Sequence, residues 1–116
     1  LGEIEGKDNN PINVDKFRQL SSNLDEDFER IGSYAKGMLI GNGYRLDDPV
    51  SRKFQFTERV MEGVRAKSFV VISTYELYKT VVYIFKNQND EAFRKKCRDK
   101  IYETIGDVVE FDLTQD

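Results

Sequence analysis

Gly37-Met38-Leu39-Ile40-Gly41-Asn42-Gly43 sets three apolar residues in an unbroken run between turn-forming residues. An amphipathic helix spaces its apolar residues at three and four, and a strand with one wet face alternates them. A short continuous run bounded by glycine therefore reads as a strand buried on both faces. Phe69-Val70-Val71-Ile72 repeats the pattern. Strands of this kind occur in parallel sheets covered by helices, so the expected fold class is α/β, a mainly parallel central sheet flanked by helices.

Working outward from these strands, residues Leu1 to Lys7 alternate, with Glu3, Glu5 and Lys7 on one side and Gly2, Ile4 and Gly6 on the other. That period of two predicts a strand, and Asp8-Asn9-Asn10-Pro11 predicts the turn that ends it. Asn13 is a suitable N-cap for a helix whose stripe is Val14, Phe17, Leu20, Leu24, Phe28 and Ile31, stopped by Gly32. Asp25, Glu26, Asp27, Glu29 and Arg30 form its solvated face. A polar loop from Tyr44 to Gln55 leads to Thr57, the expected cap of a second helix containing Val60, Met61 and Val64.

Ser73-Thr74-Tyr75-Glu76 has the capping-box spacing and starts a third helix with Leu77, Val81, Ile84 and Phe85 inward. Asn89 is expected to cap a fourth, bearing Ala92, Phe93, Cys97, Ile101 and Ile105, with Gly106 as its stop. Residues Asp107 to Leu113 alternate and are expected to form an edge strand. There is no repeat, linker or low-complexity stretch. The 116 residues suffice for one hydrophobic core and not for two, so residues 1–116 are read as a single domain.

Composition narrows the chemistry. With no histidine there is no Ser/His/Asp or Cys/His triad, and with one cysteine there is no zinc cluster. A bound metal would have to be held by Asp and Glu oxygens, which favours magnesium, manganese or calcium. A net charge of −3 argues against a protein that coats nucleic acid nonspecifically. No apolar run reaches the roughly 18–20 residues that span a bilayer, so no membrane partner is expected. The lone Cys97, flanked by Arg94, Lys95, Lys96 and Arg98, suggests a cytoplasmic setting. Those cations would lower its thiol pKa if it were open to them, and a buried helix position is the simpler reading. Leu1 in place of methionine is read as the start of an excised piece of a longer chain.

In open α/β sheets ligands gather at the carboxyl ends of the strands. Glu3, Glu5 and Lys7 leave one strand face together, an arrangement suited either to a divalent ion with a phosphate-neutralising lysine or to a simple solvent face. Gly41-Asn42-Gly43-Tyr44-Arg45 would cradle a phosphate with its amides, Asn42, Tyr44 and Arg45, or would serve only as a strand-exit turn. It has no Walker ending. The cations of residues 94–100 share their segment with Asp90, Glu91, Asp99 and Glu103, which favours a solvated helix over a nucleic-acid face.

Taken as a series, Glu3-Ile4-Glu5-Gly6-Lys7, Pro11-Ile12-Asn13-Val14-Asp15-Lys16, Arg18-Gln19-Leu20, Lys36-Gly37-Met38-Leu39-Ile40-Gly41-Asn42-Gly43-Tyr44-Arg45, Pro49, Arg52, Phe56-Thr57 and Ser73-Thr74-Tyr75-Glu76-Leu77 resemble the restriction-endonuclease-like, or PD-(D/E)xK, nuclease domains of prokaryotic proteins. The resemblance runs to about Gly106 and covers the later half of that fold, truncated at its N-terminus. It implies a magnesium- or manganese-dependent phosphodiesterase acting on DNA. Glu3 would be the motif acid with Glu5 at the lysine position, or Glu5-Gly6-Lys7 would be the motif shifted by two. Glu3 and Glu5 would hold the metal, and Gln19 would stand beside it. The family's partner acid lies on a strand upstream, so this piece is expected to be incomplete as a catalyst. The alternatives are a catalytically dead DNA- or protein-binding module and a homo-oligomeric scaffold.

Overall fold

The computed structural model describes residues 1–111 and 113. In chain order the strands and α-helices are β1 (Gly2–Gly6), α1 (Val14–Ile31), β2 (Met38–Asn42), α2 (Glu58–Lys67), β3 (Val70–Ser73), α3 (Thr74–Lys86), α4 (Glu91–Glu103) and β4 (Asp107–Val108), with one turn of 3-10 helix at Pro49–Ser51. The strands form one sheet in the order β1-β2-β3-β4, and every pairing is parallel. The α/β class and the parallel sheet therefore stand as read from the sequence.

Local chemistry fixes the element ends. The Asn13 side chain accepts the Asp15 N–H, and Gly32, at φ 77°, closes α1 by donating to the Phe28 carbonyl. Ser73 accepts the Glu76 N–H, as its spacing predicted, and Thr57 accepts that of Val60. At α4 the cap is Asp90 rather than Asn89, because the Asp90 carboxylate is the group that reaches the Phe93 N–H. Lys36 donates from its ammonium to the Ser68 and Thr104 carbonyls, so one cation sits at the C-terminal ends of both α2 and α4.

The pleat divides the core. Leu39 and Val71 point to one face, where Leu20 and Leu24 of α1 and Val60 and Val64 of α2 cover them. Val70 and Ile72 point to the other, against Leu77 of α3 and Ile101 of α4, with Met38 and Ile40 half-buried beside them. Leu20 and Leu24 are essentially removed from water, a burial that stabilises the fold by about 1.5–3 kcal/mol for each side chain.

Several residues expected inside lie outside. Phe28 and Ile31 are exposed because α1, at 18 residues and about 1.5 Å per residue, overhangs a five-residue strand of about 3.3 Å per residue. Phe28 stacks instead on Tyr34, with ring centroids 4.3 Å apart. On α3, Val81 and Phe85 are exposed and Leu77 and Thr80 face the sheet. Ala92 is exposed on α4, and Ile105 lies past its end, exposed. The expected final strand shrinks to Asp107–Val108, followed by one further bond from the Val109 N–H to the Val71 carbonyl. Residue 112 of that expected strand lies outside the described residues.

Candidate functional site

The carboxyl ends of β1 and β2 lie side by side, with Glu5 paired to Gly41 and Gly6 to Asn42. Burial along β1 alternates, so Glu3, Glu5 and Lys7 do leave the strand on one face. That face is the one under α1, since Asn23 of α1 donates from Nδ2 to Glu3 Oε1 at 2.8 Å. Lys7 Nζ stands 3.4 Å from Glu5 Oε1. The Glu5 side chain is only 10% exposed, and its Oε2 is buried with no hydrogen-bond partner among the described residues. A buried carboxylate oxygen without a donor costs about 1–3 kcal/mol, and an ion or a water is among the partners that would relieve it.

Gln19 is exposed and accepts from Lys16 Nζ at 3.1 Å, on its own helix. It shares a face of α1 with Asn23, four residues on and so about 6 Å along the axis. Because α1 returns the chain to start a parallel strand, that step carries Gln19 from the level of Glu3 toward that of Glu5. Asn23 was not singled out in the sequence, although its spacing of four from Gln19 is the one signal that could have found it.

The loop after β2 spends its polar groups on itself. The Gly43 N–H donates to Gln55 Oε1 at 2.6 Å, the Tyr44 N–H to the Asn10 carbonyl at 3.1 Å, and the Arg45 N–H to the Lys7 carbonyl at 2.8 Å. Asn42 Oδ1 accepts from Arg52 at 2.8 Å, and the same guanidinium grips the Arg45 and Asp47 carbonyls. Arg45 is ion-paired with Asp8. Gly43 leaves no room for a side chain against Gln55, and Tyr44 takes the left-handed φ of 50° that the turn requires. The amides expected to cradle a phosphate thus hold a strand-exit turn together. Arg52, Gln55 and Asp8, its main fasteners, carry no local sequence signal because their partners are distant in the chain.

At the third strand end, Glu76 accepts the Phe111 N–H at 2.8 Å and pairs with Lys79 at 2.9 Å, a structural tie. The basic helix is laced with its own acids, Arg94 with Glu91, Lys95 with Asp99 and Arg98 with Glu91, in keeping with a solvated face. Burial pushes the Cys97 thiol above its ordinary pKa, and the smaller pull of Arg98 does not reverse it, so the lowering that its basic neighbours suggested does not occur.

For a divalent ion, the fit is partial. Glu5 Oε2 is an oxygen donor in need of a partner, and Glu3 lies two residues away on the same face. Among the described residues no three Asp, Glu, His or Cys side chains gather where one ion could be held. No helix among them is long and apolar enough to cross a membrane. Comparison with family models, with curated proteins and with solved structures finds no match.

Proposed function

We propose that the chain is a divalent-metal-dependent, nuclease-like domain acting on DNA, of the restriction-endonuclease-like kind that its sequence resembles, and working in the cytoplasm, where the free Cys97 is at home. The observation that carries this reading is the buried, unpartnered Glu5 carboxylate oxygen beside Lys7 at the carboxyl end of an edge strand. Glu5 and Glu3 would hold magnesium or manganese, with water filling the remaining positions. A bound ion supplies Lewis acidity toward a phosphodiester and a more acidic water. Asn23 keeps Glu3 oriented, Lys7 neutralises a phosphate once an ion relieves it of Glu5, and Gln19 supports from the helix above.

No third acid gathers beside Glu3 and Glu5 among the described residues, so the chain by itself is expected to bind metal weakly and to leave DNA uncut. Manganese added to isotope-labelled protein should broaden the amide resonances of Glu3, Glu5 and Asn23 first, and Glu5→Gln should abolish that selectivity. Broadening confined to the surface acids of α1, unchanged in Glu5→Gln, would remove the metal from the reading. The two-acid shortfall also favours a second reading, a catalytically dead DNA- or protein-binding module. DNA binding that weakens with salt and survives both Glu3→Ala and Glu5→Ala would select it.

A further inference from the structure

β1 is the terminal strand of the sheet, and its parallel ladder turns alternate residues toward β2. The Met38 N–H donates to the Leu1 carbonyl and the Lys7 N–H to the Asn42 carbonyl, so the odd-numbered residues face β2. Gly2, Ile4 and Gly6 therefore turn an N–H and a C=O each toward the open side, where no strand lies among the described residues. Sheets protect such edges with lysine, proline, bulges or a covering element. Here the outward residues are two glycines and an isoleucine.

The glycine at position 6 is not explained by packing within the chain. A Cβ there would meet nothing closer than 4.0 Å, and φ is not left-handed. A bare strand glycine suits the close approach of another backbone. Ile4 is 65% exposed on the face away from α1. Helix α3 lies over β2 and β3 and turns Glu76 and Tyr83 toward Phe111 and Phe93, on the β4 side. At 100° per residue its opposite flank is Tyr78, Val81 and Phe85, all exposed and looking toward the bare face of β1. On the other face of β1 stand Glu3, held by Asn23, and Glu5, paired through one oxygen with Lys7 and orphaned at the other, so two acids and one cation leave that face net negative.

We propose that the β1 edge accepts an extended protein segment as a fifth strand, one alternating apolar residues with lysine or arginine. Its apolar side chains would lie against Ile4 and the α3 flank, and its basic ones beside Glu3 and Glu5. The same charges disfavour a second copy paired about Ile4. Two β1 strands paired about Ile4 set Glu3 of each across from Glu5 of the other, and like charges directly opposite destabilise a ladder.

The test uses metal-free protein in a chelator, so its outcome is independent of the nuclease reading. Three nine-residue peptides serve as probes, alternating valine with lysine, valine with glutamate, and asparagine with lysine. The valine-lysine peptide should slow hydrogen exchange at the Gly2, Ile4 and Gly6 amides at least about tenfold, with little change at Glu3 and Glu5. It should bind at least about tenfold more tightly than either of the others at low salt. Ile4→Pro, which removes an outward N–H and no bond to β2, should abolish binding. If that variant unfolds, Ile4→Lys, which keeps the backbone and places a cation on the apolar face, should weaken it instead. Equal binding of all three peptides, protection elsewhere in the chain, or dimers joined through β1 in light scattering would each overturn the proposal.

Discussion

Gly63 sits in the middle of α2, where alanine is ordinarily about 1 kcal/mol better than glycine. Propensity alone therefore predicts that Gly63→Ala stabilises. The tertiary contact reverses the sign. A Cβ at this position would lie 2.5, 2.6 and 3.0 Å from three carbons of the Phe17 ring, inside the distance that real Cβ atoms keep. Phe17 has little room to retreat, since its ring packs 5.6 Å from that of Phe69, which closes the α1/α2 core. Overpacking of this kind costs about 1–3 kcal/mol, so the helix gain is cancelled or outweighed and the net expectation is a loss of up to about 2 kcal/mol. For a chain of this size that is a fall in Tm of up to about 10 °C. Urea titration followed by circular dichroism should show a lower midpoint at unchanged slope. The decisive control is the Phe17→Leu background, where the shorter side chain leaves space and Gly63→Ala should stabilise by about 0.5–1 kcal/mol. Stabilisation in the natural background, or the same loss in both, would refute the proposed clash.

Two further expectations concern titrating groups. Because burial raises the Cys97 thiol pKa, native protein should react with a disulfide reagent at pH 8 at least about tenfold more slowly than the urea-unfolded chain. Equal rates in a stopped-flow comparison would mean that the thiol is open. Burial, and then the hydrogen bond from its hydroxyl to Asp90, raise the Tyr83 phenol pKa. A group whose pKa is higher folded than unfolded contributes fully below its unfolded value, about 10, and loses that contribution as pH rises through the folded value. The urea midpoint should thus fall above about pH 10, and less steeply in Tyr83→Phe; parallel curves for the two proteins would exclude Tyr83 as the cause.

The candidate site is set partly by β1 itself and partly by what packs over it. The alternation of Glu3, Glu5 and Lys7 is a local consequence of strand geometry and could be seen in the residues alone. That α1 lies over this face, that Asn23 claims Glu3 and that Glu5 keeps one oxygen without a donor all depend on contacts made across the fold. The loop of residues 41–45 shows the same divide. Its glycines announced a turn, while its use of Gln55, Asn10 and Lys7 to occupy three amides could not be inferred from neighbours in sequence.

The sequence by itself determined the class of fold, the positions of the strands and helices, and most of their caps, because periodicity and capping are set by dihedral preferences over a few residues. Only the tertiary structure decided which apolar residues are inside. Phe28 and Ile31 overhang a short sheet, and Val81 and Phe85 turn to the flank of α3, although each continues a helical stripe. Burial depends on whether another element reaches that part of the helix, and the lengths and order of the strands, with β1 outermost among the described residues, settle where cover ends.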